Sequence, residues 1–201
     1  MADVKRYSTP PFRVSFPHLF RAQAMDGGEP KFSVSAIWTP SKFTDRDKRL
    51  WKELQKALNE AAIAQFKKPL KDLPANVRRG LRDGAEKPDL EGYGEGTVFA
   101  NLSTKIMPGV VNLQKERIHP EEGNEDEIYP GCIARATVTV YSYDNKGKGV
   151  SLGLMNLQKI ADGERLDSRT DAADDFDDDV DEAWLEQDEG SVDDDDDEIP
   201  F

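Results

Sequence analysis

The sequence predicts a mainly β protein with one principal α-helix: a small β-barrel body followed by a disordered acidic tail. Three observations carry that prediction. Apolar and polar residues alternate over several short runs, the period of half-buried strands. One longer run repeats instead at helical spacing, behind a capping sequence. Charge is divided along the chain: residues 162–201 contain 20 Asp and Glu against two basic residues, a net of −18, whereas 1–161 contains 25 basic and 20 acidic residues, a net of +5. The overall −13 therefore hides a mildly basic body with a strongly acidic appendage. Opposite charges on one chain see each other or compete for one partner.

The elements follow in order. Phe12, Val14 and Phe16 alternate with Arg13 and Ser15 between Pro10-Pro11 and Pro17, which predicts a first strand. A turn at Asp26-Gly27-Gly28 leads to a second strand over 31–38. Phe32, Val34, Ala36 and Trp38 share its core face; Lys31, Ser33, Ser35 and Ile37 share the other. Thr44, with Asp47 three residues on, starts the helix, and Pro69 ends it. Leu50, Trp51, Leu54, Leu58, Ala61, Ala62 and Phe66 form its apolar stripe. Residues 67–96 read as a long loop with one short helix after Pro74, and loops of that length are often functional.

Strand pattern returns at Thr97, with Val98, Ala100 and Leu102 inward and Phe99, Asn101, Ser103 and Lys105 outward. Pro108-Gly109 turns the chain into Val110–Leu113. The longest predicted strand runs from Cys132 to Tyr143. Its even positions are small or apolar; its odd positions are Ile133, Arg135, Thr137, Thr139, Tyr141 and Tyr143. A hairpin turn over 144–149 carries Lys146 and Lys148, and a last strand covers 150–157. Five or more strands with one helix suit a small barrel better than a parallel α/β sheet. The body is assigned to 1–161 and the tail to 162–201. Dense like charge with little apolar area favours disorder there. Phe176, Val180, Ala183 and Trp184 fall at helical spacing, compatible either with coil or with a transient docking helix.

Function classes narrow accordingly. The lone Cys132 permits no internal disulfide, and with only His18 and His119 no zinc-ligand spacing exists. No cofactor is expected. No apolar run approaches a membrane span and no signal-like segment follows the N-terminus, so a soluble intracellular protein without a membrane partner is expected. A Mg²⁺ nuclease would need fixed carboxylates. Most acids lie in the tail, and the body offers only Asp72, Asp83, Asp89 and Glu91, in a loop. The expectation is therefore no enzyme.

Single strands are bound by aromatic faces that stack bases and by cations that follow phosphates. The outward strand positions supply both. Phe99, Tyr141 and Tyr143 are the candidate rings; Arg13, Lys31, Lys105, Arg135, Lys146 and Lys148 are the candidate cations. The bland alternative packs those rings under the helix or the long loop. An acidic, chaperone-like protein-binding module is a second alternative; it explains the tail and leaves the basic, aromatic face unused. The tail ends in Asp197, Glu198, Ile199, Pro200 and Phe201, whose terminal ring and carboxylate suit an apolar pocket beside a cation.

Two resemblances sharpen this reading. The ending Asp194–Phe201 resembles the acidic tip of bacterial single-stranded DNA-binding proteins, which recruits replication, recombination and repair enzymes. Nearly all of residues 11–166 resemble single-stranded DNA-binding proteins encoded by tailed phages and prophages. That likeness rests on Arg13-Val14-Ser15-Phe16-Pro17-His18-Leu19-Phe20, Lys31-Phe32-Ser33-Val34 and Asn101-Leu102-Ser103-Thr104-Lys105 with Pro108-Gly109-Val110-Val111. Its most specific block is Tyr129-Pro130-Gly131-Cys132, Tyr141–Gly147, Gly149–Leu154 and Gln158-Lys159. The resemblance implies an OB-fold-like barrel, no catalysis, and single-strand binding during phage replication or recombination. It implies single-stranded DNA and host or phage replication and recombination enzymes as partners, with a homo-oligomer possible.

Overall fold

The computed structural model describes residues 4–24, 28–145 and 147–167. Lys146, the candidate docking helix and the tip residues Asp197–Phe201 lie outside them. The elements are β1 (Tyr7–Ser8), β2 (Phe12–Gln23), β3 (Lys31–Trp38), α1 (Asp45–Phe66), β4 (Arg82–Asp83), β5 (Val98–Thr104), β6 (Gly109–Val111), β7 (Ile133–Asn145) and β8 (Gly147–Ala161).

Five of these strands close on themselves. β2 pairs β3, β3 pairs β5, and β5 runs parallel to β8. β8 pairs β7, and β7 returns to β2. Numbered within the barrel, the order is first, second, third, fifth, fourth, first, with one parallel contact, which is the order of an OB fold. β1 and β6 extend the edges against β7 and β8.

Period-two alternation fills the barrel. Val14, Val34, Ala36, Trp38, Ala100, Leu102, Ala134, Ala136, Val138, Leu152 and Leu154 are all buried in one cluster. The fully buried Trp38 meets Phe12 edge-on at 5.5 Å, and its indole N–H donates to the Pro10 carbonyl at 3.1 Å. A buried indole lacking that acceptor would lose a hydrogen bond it makes freely in water. α1 packs against β7, β1 and β8 with Leu54, Ala57, Leu58 and Ala62 buried. Its start is the expected capping box: Thr44 Oγ1 accepts from Asp47 N–H, and Asp47 accepts from Thr44 N–H. It stops at Lys67, which turns left-handed at φ 58°, before Pro69.

Three local expectations are corrected. β2 does not stop at Pro17 but runs on to Gln23, because a register break between Ser15 and His18 accommodates the proline. The break also reverses Phe16, which leaves the core face for solvent. No helix forms directly after Pro74; the chain makes a turn there, Arg78 bridges to Gly149, and the one helical turn of the loop beyond it is a 3-10 turn at Gly84–Glu86. Residues 67–96 fold back onto the barrel, with Leu73 and Val77 joining the core. Finally, the compact body extends to Asp167, past the expected boundary at 161. Gly131 (φ 114°) and Gly163 make this possible: a Cβ on Gly131 would lie 2.0 Å from the Glu164 carbonyl oxygen, and one on Gly163 would lie 2.3 Å from that of Gly131. Only glycine allows two chains to pass so closely.

Candidate nucleic-acid interface

The outer face of the barrel is read row by row from the strand register. Thr139, Gly153, Ser103, Ser33 and His18 are successive partners across β7, β8, β5, β3 and β2. One step along, Tyr141 pairs Ser151 in the β7–β8 ribbon, while Asn101, Ser35 and Ser15 follow one another in β5, β3 and β2. A further step brings Tyr143 opposite Gly149, and Phe99 opposite Ile37 and then Arg13. Seven of the ten residues that floor the first two rows are Ser, Thr or Asn. Thr139, Ser103, Ser33 and Ser151 are partly open and Asn101 is exposed, whereas Ser35 and Ser15 are buried, Ser35 Oγ donating to Asn101 Oδ1 at 2.7 Å.

Aromatic rings rise at one corner of this floor. Tyr141 is 40% exposed and its ring centroid lies 6.3 Å from that of Tyr143. Both rings lie over glycine. A Cβ on Gly153 would meet Tyr141 at 3.6 Å, and one on Gly149 would meet the Tyr143 hydroxyl at 2.8 Å. Neither tyrosine belongs to the buried core. Two partly open rings on a pleated edge can stack planar groups.

Phe99 is a correction. It faces outward as its parity requires, yet it is fully buried. Residues 82–96 cover it: β4 pairs alongside β5, Tyr93 meets the ring edge-on at 5.2 Å, and Arg82 and Lys87 each lie 4.8 Å from its centroid. Ile37 is buried on the same face, and Leu166 and Ile37 both approach Gly92. A second, smaller apolar layer thus sits outside the barrel, beneath the long loop, and Phe99 has no face free to stack.

The candidate cations separate into groups. Lys148 is exposed beside the tyrosines, 3.2 Å from Asp144. Lys31 and Lys105 flank the Phe32–Thr104 pair at the far end of β3 and β5. Glu29 pairs with Lys105 and is held below the usual carboxylate range by it, with Lys31 adding to the effect. Such exposed pairs contribute little energy and leave the lysines free to exchange partners. Arg135 pairs with Gln158 on the same ribbon, donating at 2.9 Å. It stands six residues from Tyr141, roughly 20 Å along the strand. Arg13 is already engaged, with its guanidinium donating to the Glu164 carbonyl at 2.6 Å.

Residues that strand parity missed lie at the opposite corner. Phe16 is 48% exposed with φ at 45°. Lys87 stands 5.9 Å from its ring and 5.1 Å from that of Tyr93, whose hydroxyl donates to Ser15 Oγ at 3.3 Å. Partial burial, with Arg82 nearby, lowers the pKa of Lys87. The signal available beforehand was Pro17 inside a strand-like run, which marks a bulge.

The segment 162–167 crosses the start of β7. The Tyr129 hydroxyl donates to Asp162 at 3.0 Å and accepts from Gly163 N–H at 3.1 Å. Lys159 and Arg165 lie 5.3 and 4.7 Å from the Tyr129 ring, and Leu166 N–H donates to the Pro130 carbonyl at 2.9 Å. Burial raises the Tyr129 pKa. Among the described residues no group of three or more His, Cys, Asp or Glu is placed to hold a metal. No helix among them is long and apolar enough to cross a membrane.

Known proteins resemble this chain in sequence or in fold. The protein p50 of Acyrthosiphon pisum secondary endosymbiont phage 1 is 30% identical over 155 residues, covering 76% of this chain and 81% of p50. The single-stranded DNA-binding protein from bacteriophage Enc34, solved in complex with ssDNA, superposes with a TM-score of 0.68 at 25% identity, covering 81% of this chain and 89% of that one. The single-stranded DNA-binding protein gp2.5 of bacteriophage T7 shares the fold, with a TM-score of 0.52 at 16% identity over 89% of this chain and 98% of that one. The family model described as the Enterobacter phage Enc34 ssDNA-binding protein matches residues 6–188. The chain belongs to the Enc34 family of phage single-stranded DNA-binding proteins.

Proposed function

We propose that this protein binds single-stranded DNA without sequence readout, along the outer face of the barrel, in phage DNA replication, recombination and repair in the cytoplasm of the bacterial host. It acts by binding and protecting the strand rather than by catalysis. One observation carries the reading: the outward row Thr139, Gly153, Ser103, Ser33 and His18, which crosses five strands without a large apolar side chain beside the open Tyr141–Tyr143 pair. A flexible strand can lay its bases on the rings and its phosphates toward Lys148, Lys146, Lys31 and Lys105. Stacking on a π-face is tolerant of base identity, so affinity arises without base-edge recognition. Arg135 extends the phosphate path and Arg13 joins it when Glu164 lets go.

The acidic segment beyond Asp167 has two roles in this reading. Its Asp and Glu residues compete with DNA for the same cations. Its tip, Asp197-Glu198-Ile199-Pro200-Phe201, recruits host or phage replication and recombination enzymes. The charge division of the sequence supports the first role and the apolar tip after five Asp supports the second.

The test is a titration of the full chain, and of a form ending at Asp167, with dT oligonucleotide and with matched duplex at two salt concentrations. Salt-sensitive binding that prefers the single strand is expected, tighter at low salt for the shorter form because an intramolecular polyanion is lost. Equal affinity for duplex, or no binding by either form at low salt, contradicts the reading.

A further inference from the structure

The bulge in β2 leaves Phe16 in a position that packing does not reward. Counted by alternation from Phe12 and Val14, its ring belongs in the core. Instead its backbone sits at φ 45°, a region that costs a residue other than glycine conformational energy, and nearly half of the side chain faces solvent. Strain and an exposed aromatic at one residue point to a ligand rather than to stability.

The surroundings say which ligand. Phe16 stands above the same loop-covered layer that buries Phe99. Tyr93 rests edge-on against Phe99, its hydroxyl reaches Ser15, and Lys87 lies among the rings of Phe16, Tyr93 and Phe99. An open ring, a half-buried ring and a cation make a stacking site with a phosphate partner. The site adjoins Ser15, at the end of the row whose other end is Tyr141. β7, β8, β5, β3 and β2 are successive neighbours, so a strand laid over the curved outer surface from one corner to the other crosses four strand spacings, a path of roughly 19 Å.

We propose that Phe16, with Tyr93 and Lys87, is a second base-stacking platform, and that a bound single strand crosses the β8–β5–β3 floor from Tyr141 to Phe16. This rests on the single-strand reading given above. It adds a length rule: a short oligonucleotide engages one corner, and only a longer one reaches both.

The experiment uses the full chain with Phe16→Gly, Phe16→Trp and Tyr141→Ala, and labelled dT oligonucleotides of increasing length. Glycine accepts φ 45° without strain, so Phe16→Gly is expected to melt at or above the wild-type temperature. It should bind long dT about tenfold or more weakly, the size of one lost stack. The very shortest dT that binds should lose less to Phe16→Gly than to Tyr141→Ala. Phe16→Trp should retain affinity, and its added emission should be quenched by dT. Wild-type affinity of Phe16→Gly at every length, while Tyr141→Ala is impaired, overturns the second platform and leaves the single-strand reading standing. Lowered stability of Phe16→Gly together with unquenched Phe16→Trp emission also overturns it, by making Phe16 a packing residue. A wild-type chain that does not bind dT removes the single-strand reading itself.

Discussion

Replacing Tyr141 and Tyr143 together with alanine is expected to weaken binding of a long dT oligonucleotide by about 2 kcal/mol or more, at roughly 1–3 kcal/mol per lost stack. In dissociation constant that is roughly thirtyfold or more. The fold should survive. The rings lie over Gly153 and Gly149 on the outside of the ribbon, and neither is among the buried residues. The salt dependence should not change, because no charge is lost. Lys148→Ala should do the opposite, costing less affinity and reducing the slope by roughly 0.7 if it meets one phosphate of a single strand. Anisotropy titrations at four salt concentrations separate the two effects. Unchanged affinity in the double variant would show that this corner is not where bases stack.

Ending the chain at Ala161 rather than Asp167 is the second large change. Among the described contacts, the shorter form loses the Asp162 and Gly163 partners of the Tyr129 hydroxyl, the Leu166–Pro130 hydrogen bond, the Leu166 contact with Gly92, and the Glu164 acceptor of Arg13. A net hydrogen bond contributes about 1 kcal/mol and burial of a leucine up to about 3 when complete. A loss of roughly 1–3 kcal/mol is therefore expected, which lowers the melting temperature by several degrees in a body of this size. The difference should shrink in acid. Lys159 and then Tyr129 hold the Asp162 carboxyl below its usual range. A depressed carboxylate stabilises the folded form above its unfolded pKa, and that contribution is lost as pH falls through the folded value. Calorimetry of both forms at neutral and acid pH checks this. Identical melting at neutral pH would mean that residues 162–167 add nothing to the body.

Much of this molecule was readable from local pattern. Alternation in β3 and β7 gave the inward and outward faces correctly, and Thr44 with Asp47 located the start of α1 to the residue. What failed had long-range causes. Phe99 faces outward as its parity required, but residues 82–96 fold back over it, and no feature local to β5 reports that. Alternation carried from Phe12 and Val14 up to Pro17 puts Phe16 on the core face, whereas the register breaks between Ser15 and His18 and turns it out. The onset of dense acidic residues at Asp162 suggests a body that ends at Ala161. Gly131 and Gly163, distant in sequence, hold the next six residues against β7. Strand parity offers Arg13 as a phosphate contact, but it does not report that Glu164 engages its guanidinium.

The central claim is that the single strand lies across the outer sheet face. Amide hydrogen exchange of the full chain, with and without saturating dT oligonucleotide, tests it most directly. The account predicts added protection in β3, β5 and the β7–β8 ribbon around Tyr141, Ser103 and Ser33, and none on α1. Protection centred on α1, with the ribbon unchanged, would contradict it.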